Sequence, residues 1–469
     1  MKSLFKNSLY NIIYKLINVI FPLITTIYIS RCLGTEGIGK VTTAQNIVSY
    51  FLIIASLGLP IYGTKIIAEN RSNNNLSKVY SELFSINFIS TVICTLLYLL
   101  LIFTISSFYE KLNLFFAVGV SLIFNILNVD WFYQGIEEYK YIMIRSIVVK
   151  VIALGLVLFF VKTRGDIIQY ALIQSSAIVL NYIFNILHIR KYVKFTTKNI
   201  SLKYHMKPLL ILLATSISIE IYTLVDTTML SFIHEDSTVG LYTTAVKCIN
   251  IVKSLVYASC AVFLPRLSCY YKSKEYKNYY NLIEKGIKIL LIISVFSCAF
   301  IIGFSDRIIQ ILFGNEFKSA SITMSILAIS IISVTISGFL GNQILTTLGK
   351  EKYVFLSTLS GAVLNIFFNL ILIPILAQNG AAIASIITEL IITIIQIIMV
   401  KKYIYLKISF CFIISLIVGG VGVILIALIP VISSVQLVDL ILKGIISGII
   451  YILIELILGN KFIREKIKK

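Results

Sequence analysis

Charge is scarce in this sequence. Asp, Glu, Lys and Arg make up 13% of its 469 residues, against 58% hydrophobic residues and a mean hydropathy of +0.95. Soluble domains carry roughly 45–50% apolar and about 25% charged residues, so a water-facing surface cannot be assembled here. The seven cysteines (Cys32, Cys94, Cys248, Cys260, Cys269, Cys298 and Cys411) are odd in number and scattered, and the three histidines are isolated. Neither set has disulfide or metal-ligand spacing, and most of the cysteines read as small buried hydrophobes. No glycine-rich loop followed by a Lys-Ser/Thr pair is present to hold a nucleotide. The outer loops are short; the longest runs from Asp306 to Lys318 with only two acids. A glycosyltransferase or polymerase would need a larger outer loop or a carboxylate cluster. No cofactor is expected.

Long apolar runs fill the sequence instead. A helix crosses a bilayer in about 20 apolar residues, and runs of that length recur at 9–30, 42–64, 83–107, 114–133, 142–162, 167–188, 208–232, 239–264, 287–305, 320–348, 353–376, 380–400, 408–430 and 437–458. They do not alternate as barrel strands do, and open sheet edges are not tolerated in lipid. The expected fold is an all-α integral membrane protein of about fourteen transmembrane helices. The first run, after Lys2 and Lys6, is too long for a signal peptide and lacks a small-residue cleavage site; it reads as a retained span.

With the N-terminus taken as cytoplasmic, lysines and arginines concentrate on the cytoplasmic side, which places both termini inside. The net charge of +20 is then a topology signal, reinforced by anionic headgroups, and calls for no nucleic acid. The basic stretch Arg190–Lys207 reads as a linker between halves. Gly39, Thr42, Thr43 and Ala44 recur as Gly240, Thr243, Thr244 and Ala245, and Gly135, Glu137 and Tyr139 as Gly349, Glu351 and Tyr353. A duplication gives two pseudo-symmetric six-helix lobes of parallel orientation around a central cavity, an architecture of transporters. The expected divisions are 1–207 (N-lobe), 208–403 (C-lobe) and 404–469 (two further helices and a basic cytoplasmic tail).

Residues 130–137 read Asp-Trp-Phe-Tyr-Gln-Gly-Ile-Glu and hold the only tryptophan. This segment resembles one found in Wzx-type flippases of O-antigen and capsular repeat units, the polysaccharide branch of the multidrug/oligosaccharidyl-lipid/polysaccharide exporter superfamily. The similarity continues through Arg31-Cys32-Leu33-Gly34-Thr35-Glu36-Gly37-Ile38-Gly39, Asp226, Val239-Gly240-Leu241-Tyr242, Leu312-Phe313-Gly314-Asn315-Glu316-Phe317, and Gly361, Asn365, Asn369, Pro374 and Gly380-Ala381-Ala382. It implies two lobes, alternating access and an isoprenoid-diphosphate-linked oligosaccharide as substrate. In a bacterial plasma (inner) membrane it also implies a polysaccharide polymerase and a chain-length regulator as partners.

Such a substrate carries a diphosphate and sugars that cannot enter hydrocarbon unpaired, which calls for a hydrated cationic cavity open sideways to lipid. Ionisable residues inside spans are the candidates, because each costs about 2.5–3.5 kcal/mol near the bilayer centre on insertion scales. The basic ones singled out are Lys15, Lys150, Lys247 and Lys253. Lys15 shares a helix face with Asn11, Asn18 and Pro22, and Lys247 shares one with Thr243, Asn250 and Ser254. For Lys15 and Lys150 the competing account is snorkelling to the interface. The acidic candidates are Glu220, Asp226 and Glu389. Depth matches Glu220 to Lys253 and Asp226 to Lys247. Six residues rotate a helix by about 240°, so both pairs cannot share one seam. One pair is then structural neutralisation, and the other is open to phosphate, a coupling proton or sodium. Asp130, Trp131, Gln134, Gly135 and Glu137 are either part of an inner gate or an interfacial aromatic anchor. A cation-coupled drug exporter of the same superfamily is the alternative. It would favour an acidic cavity, whereas four of these seven candidates are basic.

Overall fold

The structure is a computed structural model that describes residues 2–71, 75–197, 200–260, 263–404, 409–430, 433 and 435–458. Within helices, the side chains of 2–9, 11–13, 15, 16, 19, 215, 218, 219, 221, 222, 257 and 258 lie outside the described residues. The chain divides into two compact units, 1–228 and 229–469. The first contains α1 (Lys2–Ser56), α2 (Leu59–Asn70), α3 (Leu76–Thr104), α4 (Ser106–Tyr109), α5 (Leu112–Ile123), α6 (Asp130–Gly135), α7 (Tyr139–Phe160), α8 (Ile167–Ile189) and most of α9 (Lys203–Ile233). The second contains α10 (Asp236–Cys260), α11 (Phe263–Lys272), α12 (Tyr276–Phe313), α13 (Ala320–Phe339), α14 (Glu351–Lys401), α15 (Phe410–Ala427) and α16 (Gln436–Ile457). No strand occurs among the described residues.

Ten helical segments among the described residues are long and apolar enough to cross a membrane. Two of them, Ile20–Asn70 and Glu351–Lys401, are 51 residues long. At 1.5 Å per residue each exceeds twice the roughly 30 Å of a hydrocarbon core, and each contains a break, at Gly34 (φ 68°) and Ala377 (φ 49°). The chain doubles back at both. A Cβ on Gly380 would meet the Leu372 carbonyl oxygen at 2.1 Å, and one on Gly37 would meet Leu33 Cβ at 2.7 Å, approaches that a continuous helix does not make. Each long segment thus holds two of the expected spans. The shorter apolar segments Leu112–Leu127 and Thr223–Ile233 fall in the fourth and seventh, so the expected fourteen are accounted for.

The distribution of polarity identifies the solvent as lipid. Exposed positions are apolar, with Leu96 at 63%, Leu100 at 62% and Phe159 at 69%, whereas Asn87, Asn125, Thr323, Ser415 and Lys443 are buried. Apolar surface toward hydrocarbon and internally satisfied polar groups are what a bilayer demands. The protein is multi-pass.

Several expected boundaries are corrected. Arg31–Gly39 is not a loop; it is helical on both sides of a tight reversal at Gly34. The fourth span ends in a 3₁₀ turn, Phe124–Leu127, and Asp130–Gly135 forms a separate short helix rather than the end of that span. The outer loop expected from Asp306 shrinks, because α12 continues to Phe313 and only Gly314 to Ser319 separate it from α13.

Candidate functional site

In the first unit, α1 and α7 bring two of the expected residues together: the Lys150 ammonium donates to Asn18 Oδ1. A lysine half-way along a lipid-bathed helix needs such an acceptor. Tyr14, one turn before Asn18, shares a hydrogen bond with it and lies in the field of Asp130 and Arg145. The side chains of Asn11 and Lys15 lie outside the described residues.

The polar belt continues to α6. Arg145 of α7, with only 4% of its side chain exposed, donates to Asp130 at 2.9 Å and also to the Asn185 side-chain oxygen of α8. Asn185 in turn donates to Asp130, and its backbone carbonyl accepts the Tyr133 hydroxyl at 2.7 Å. The Arg145 guanidinium also lies 5.8 Å from the centre of the Tyr141 ring. One carboxylate thus ties three helices together through charge-assisted bonds, stronger than neutral ones.

The aromatic residues of the motif are not an interfacial anchor. Trp131 and Tyr133 are 3% and 0% exposed and belong to a buried cluster with Tyr80 and Phe132. Trp131 stacks over Gly63 of α2, where a Cβ would sit 2.9 Å from its ring, and Gly135 packs as closely on Ile67 and the Thr64 carbonyl. The Gln134 side-chain oxygen accepts from Thr64 at 3.4 Å. Glu137 takes a positive φ of 62° and pairs with Arg71 at 3.5 Å. These residues clamp α6 onto α2.

The other acidic candidates of the first unit lie on α9. Glu220 accepts the Thr223 hydroxyl at 3.1 Å and lines a groove of about 330 Å³ with Ser56, Gly58, Pro60 and Ser216; Asp226 is buried one and a half turns on. In the second unit, Lys247 and Lys253 are half-buried on α10, while Asn250 is exposed and its carbonyl accepts the Ser254 hydroxyl at 2.7 Å. Glu389 is buried in α14, and its carbonyl accepts the Thr393 hydroxyl.

Sequence reasoning missed four groups inside the helices. Arg145 was hidden in an apolar run. Glu82 of α3 accepts from His205 Nε2 of α9 at 3.0 Å, and His205 Nδ1 faces the Tyr62 hydroxyl of α2 at 2.8 Å, all of it buried. On α16, Lys443 is completely buried; its ammonium donates to the Ile429 carbonyl at 2.9 Å and pairs with Asp439 at 3.1 Å, which Arg307 of α12 also holds. Glu455, also completely buried, accepts the Ser415 hydroxyl at 2.8 Å. The signal for α16 was legible, since Asp439, Lys443, Ser447, Tyr451 and Glu455 recur every four residues. Among the described residues no cluster of His, Cys, Asp or Glu could hold a metal ion, and all seven cysteines are free.

Apolar-faced helices enclosing buried charges, in two helical units, define a polytopic membrane protein. The chain belongs to the polysaccharide biosynthesis protein family, whose model matches residues 4–271. A second model, that of the lipid II flippase MurJ, matches residues 210–447. A putative O-antigen transporter of Shigella dysenteriae is 25% identical over 82% of this chain and 96% of its own length. A second, of Escherichia coli K12, is 24% identical over 85% and 97%. Among solved structures, the inward closed conformation of lipid II flippase MurJ superposes with a TM-score of 0.79 over 98% of this chain and 99% of that one; at 16% identity this establishes a shared fold.

Proposed function

We propose that the protein flips an isoprenoid-diphosphate-linked oligosaccharide repeat unit from the inner to the outer leaflet of a bacterial plasma membrane, for assembly of a surface polysaccharide. The observation that carries this reading is the match to the polysaccharide biosynthesis family, together with relatives named as O-antigen transporters along almost their whole length. The physical requirement is a polar, cationic path for the diphosphate and sugars while the isoprenoid tail stays in lipid. Lys15, Lys150, Lys247 and Lys253, with Asn11, Asn18 and Asn250, line that path in this proposal, exposed in turn to either face by alternating access. The Lys150–Asn18 contact supports the part assigned to α1 and α7: a neutral amide accepts one ammonium N–H without neutralising the group, and an ammonium has further donors for an anion. Glu220, Asp226 and Glu389 supply coupling to a proton or sodium gradient, or neutralise buried lysines. Both termini are cytoplasmic, and a polymerase and a chain-length regulator act on the product outside.

Deletion of the gene in its native cell tests the reading. Lipid-linked repeat units should accumulate on the cytoplasmic leaflet and surface polymer should fall, with full restoration by the wild-type chain. Lys150→Gln should restore less than a tenth of wild-type polymer at equal membrane abundance, the loss expected for one charge-assisted phosphate contact of about 1.5–3 kcal/mol. Unchanged surface polymer in the deletion strain would overturn the proposal.

A further inference from the structure

A second groove, about 450 Å³, opens on the first unit where α8 ends. After Ile189 the chain turns and runs extended along the first turns of α3. There the backbone N–H of Thr196 donates to Ser81 Oγ at 2.9 Å and that of Lys194 to Ser77 Oγ at 3.3 Å. Between this segment and α3 the groove has an apolar, aromatic floor of Tyr80, Phe84 and Val193, and Phe195 at its edge is 54% exposed. Phe84 and Phe195 meet edge to face at 5.9 Å. Arg190 and Lys194 line the same groove, and both are exposed. Neither has a carboxylate partner among the described residues. Arg190 complements the carbonyl end of α8, but Lys194 stands four residues past that end and has no such role.

We propose that this groove is a binding site for an anionic phospholipid, its acyl chain along Phe84, Val193 and Phe195 and its phosphate between Arg190 and Lys194. The groove lies at the end of a membrane span, the depth at which headgroups sit. An exposed phenylalanine at that depth is stabilised by acyl chain rather than by water. Two unpaired cations over an apolar floor match the two parts of such a lipid, and basic pockets between spans are where anionic headgroups dock. The bound lipid would hold the 190–197 segment, which leads into α9, against α3. The inference does not depend on what the protein transports.

The protein contains its own probe. Trp131 is the only tryptophan in the chain, and its ring lies 6.0 Å from that of Tyr80 at the back of the groove. The full-length protein is reconstituted in vesicles containing either phosphatidylglycerol or phosphatidylcholine with brominated acyl chains, and quenching of Trp131 is followed against the fraction of brominated lipid. Quenching by phosphatidylglycerol should saturate at a lower fraction than quenching by phosphatidylcholine. In the Arg190→Gln/Lys194→Gln double variant that preference should weaken by roughly tenfold or more, with phosphatidylcholine quenching unchanged as the sign of an intact fold. A control removing the same charge elsewhere, Lys277→Gln/Lys285→Gln on α12, should keep the preference. Equal quenching by the two lipids, a preference that survives the groove variant, or one lost equally in the control would overturn the assignment.

Discussion

Arg145 shows how a single side chain in lipid is made tolerable. Its Nη1 donates to both Asp130 and Asn185, and the guanidinium lies 5.8 Å from the centre of the Tyr141 ring. Lysine keeps the charge but not the planar, weakly hydrated guanidinium that packs beside the Tyr141 ring. Arg145→Ala should destabilise the protein by about 1.5–3 kcal/mol, the value of a hydrogen bond to a charged group lost from a protein interior, and Arg145→Lys should recover only part of it. Thermal unfolding of the purified protein in detergent measures both. Equal midpoints for Arg145→Ala and wild type would show that Asp130 finds its stabilisation elsewhere. The sequence did not announce this residue. An arginine four places after Tyr141 in an otherwise apolar run looks like a stray charge until α6 and α8 are folded against it, and Asp130 and Asn185 lie 15 and 40 residues away.

Among elements, α16 is the most unusual. Its buried face consists of Asp439, Lys443, Ser447, Tyr451 and Glu455, and its apolar residues face out. The helix therefore docks through hydrogen bonds and ion pairs, which hold in hydrocarbon where no hydrophobic force acts between helices. The two charges at its first turns, Asp439 and Lys443, are unequal in consequence. Lys443→Met leaves Asp439 still paired with Arg307, so the loss should be small. Asp439→Ala strips Lys443 of its carboxylate while the ammonium remains completely buried, and an uncompensated buried charge costs about 3–5 kcal/mol. The prediction is an order, Asp439→Ala well below Lys443→Met in thermal stability, with Asp439→Ala/Lys443→Met recovering toward the latter. The same order should hold for the amount of folded protein recovered from membranes. Were Lys443→Met the more damaging change, the Ile429 carbonyl contact rather than the ion pair would dominate. Spans of this kind are easy to find in a sequence, because twenty apolar residues leave a strong mark. Their ends are less even: Ala377 turns beside Gln378, Asn379 and Gly380, the polar break expected between 353–376 and 380–400, whereas Gly34 reverses the chain within one residue, and the glycines of Arg31–Gly39 read as a loop that does not exist.

At the scale of the whole molecule, the reversals decide topology. Fourteen crossings return the chain to the side on which it began; had either long segment been a single tilted helix, the termini would lie on opposite faces. The close approaches at Gly37 and Gly380 require both reversals. The cytoplasmic face proposed above rests on charge, since lysine and arginine resist translocation: the 190–207 and 263–288 regions hold six each, against two in the 161–166 turn. Alkaline phosphatase, active only outside the cytoplasm, should therefore be active when fused after Gly165, between α7 and α8, and inactive when fused after Ser273, between α11 and α12. Fusions after Gly314 and Tyr403 should alternate in the same sense, active and then inactive. A fusion after Tyr403 that behaves like the one after Gly314 would mean that the chain does not turn back at Ala377, and the two-fold even count of crossings, with the common side for both termini, would fail with it.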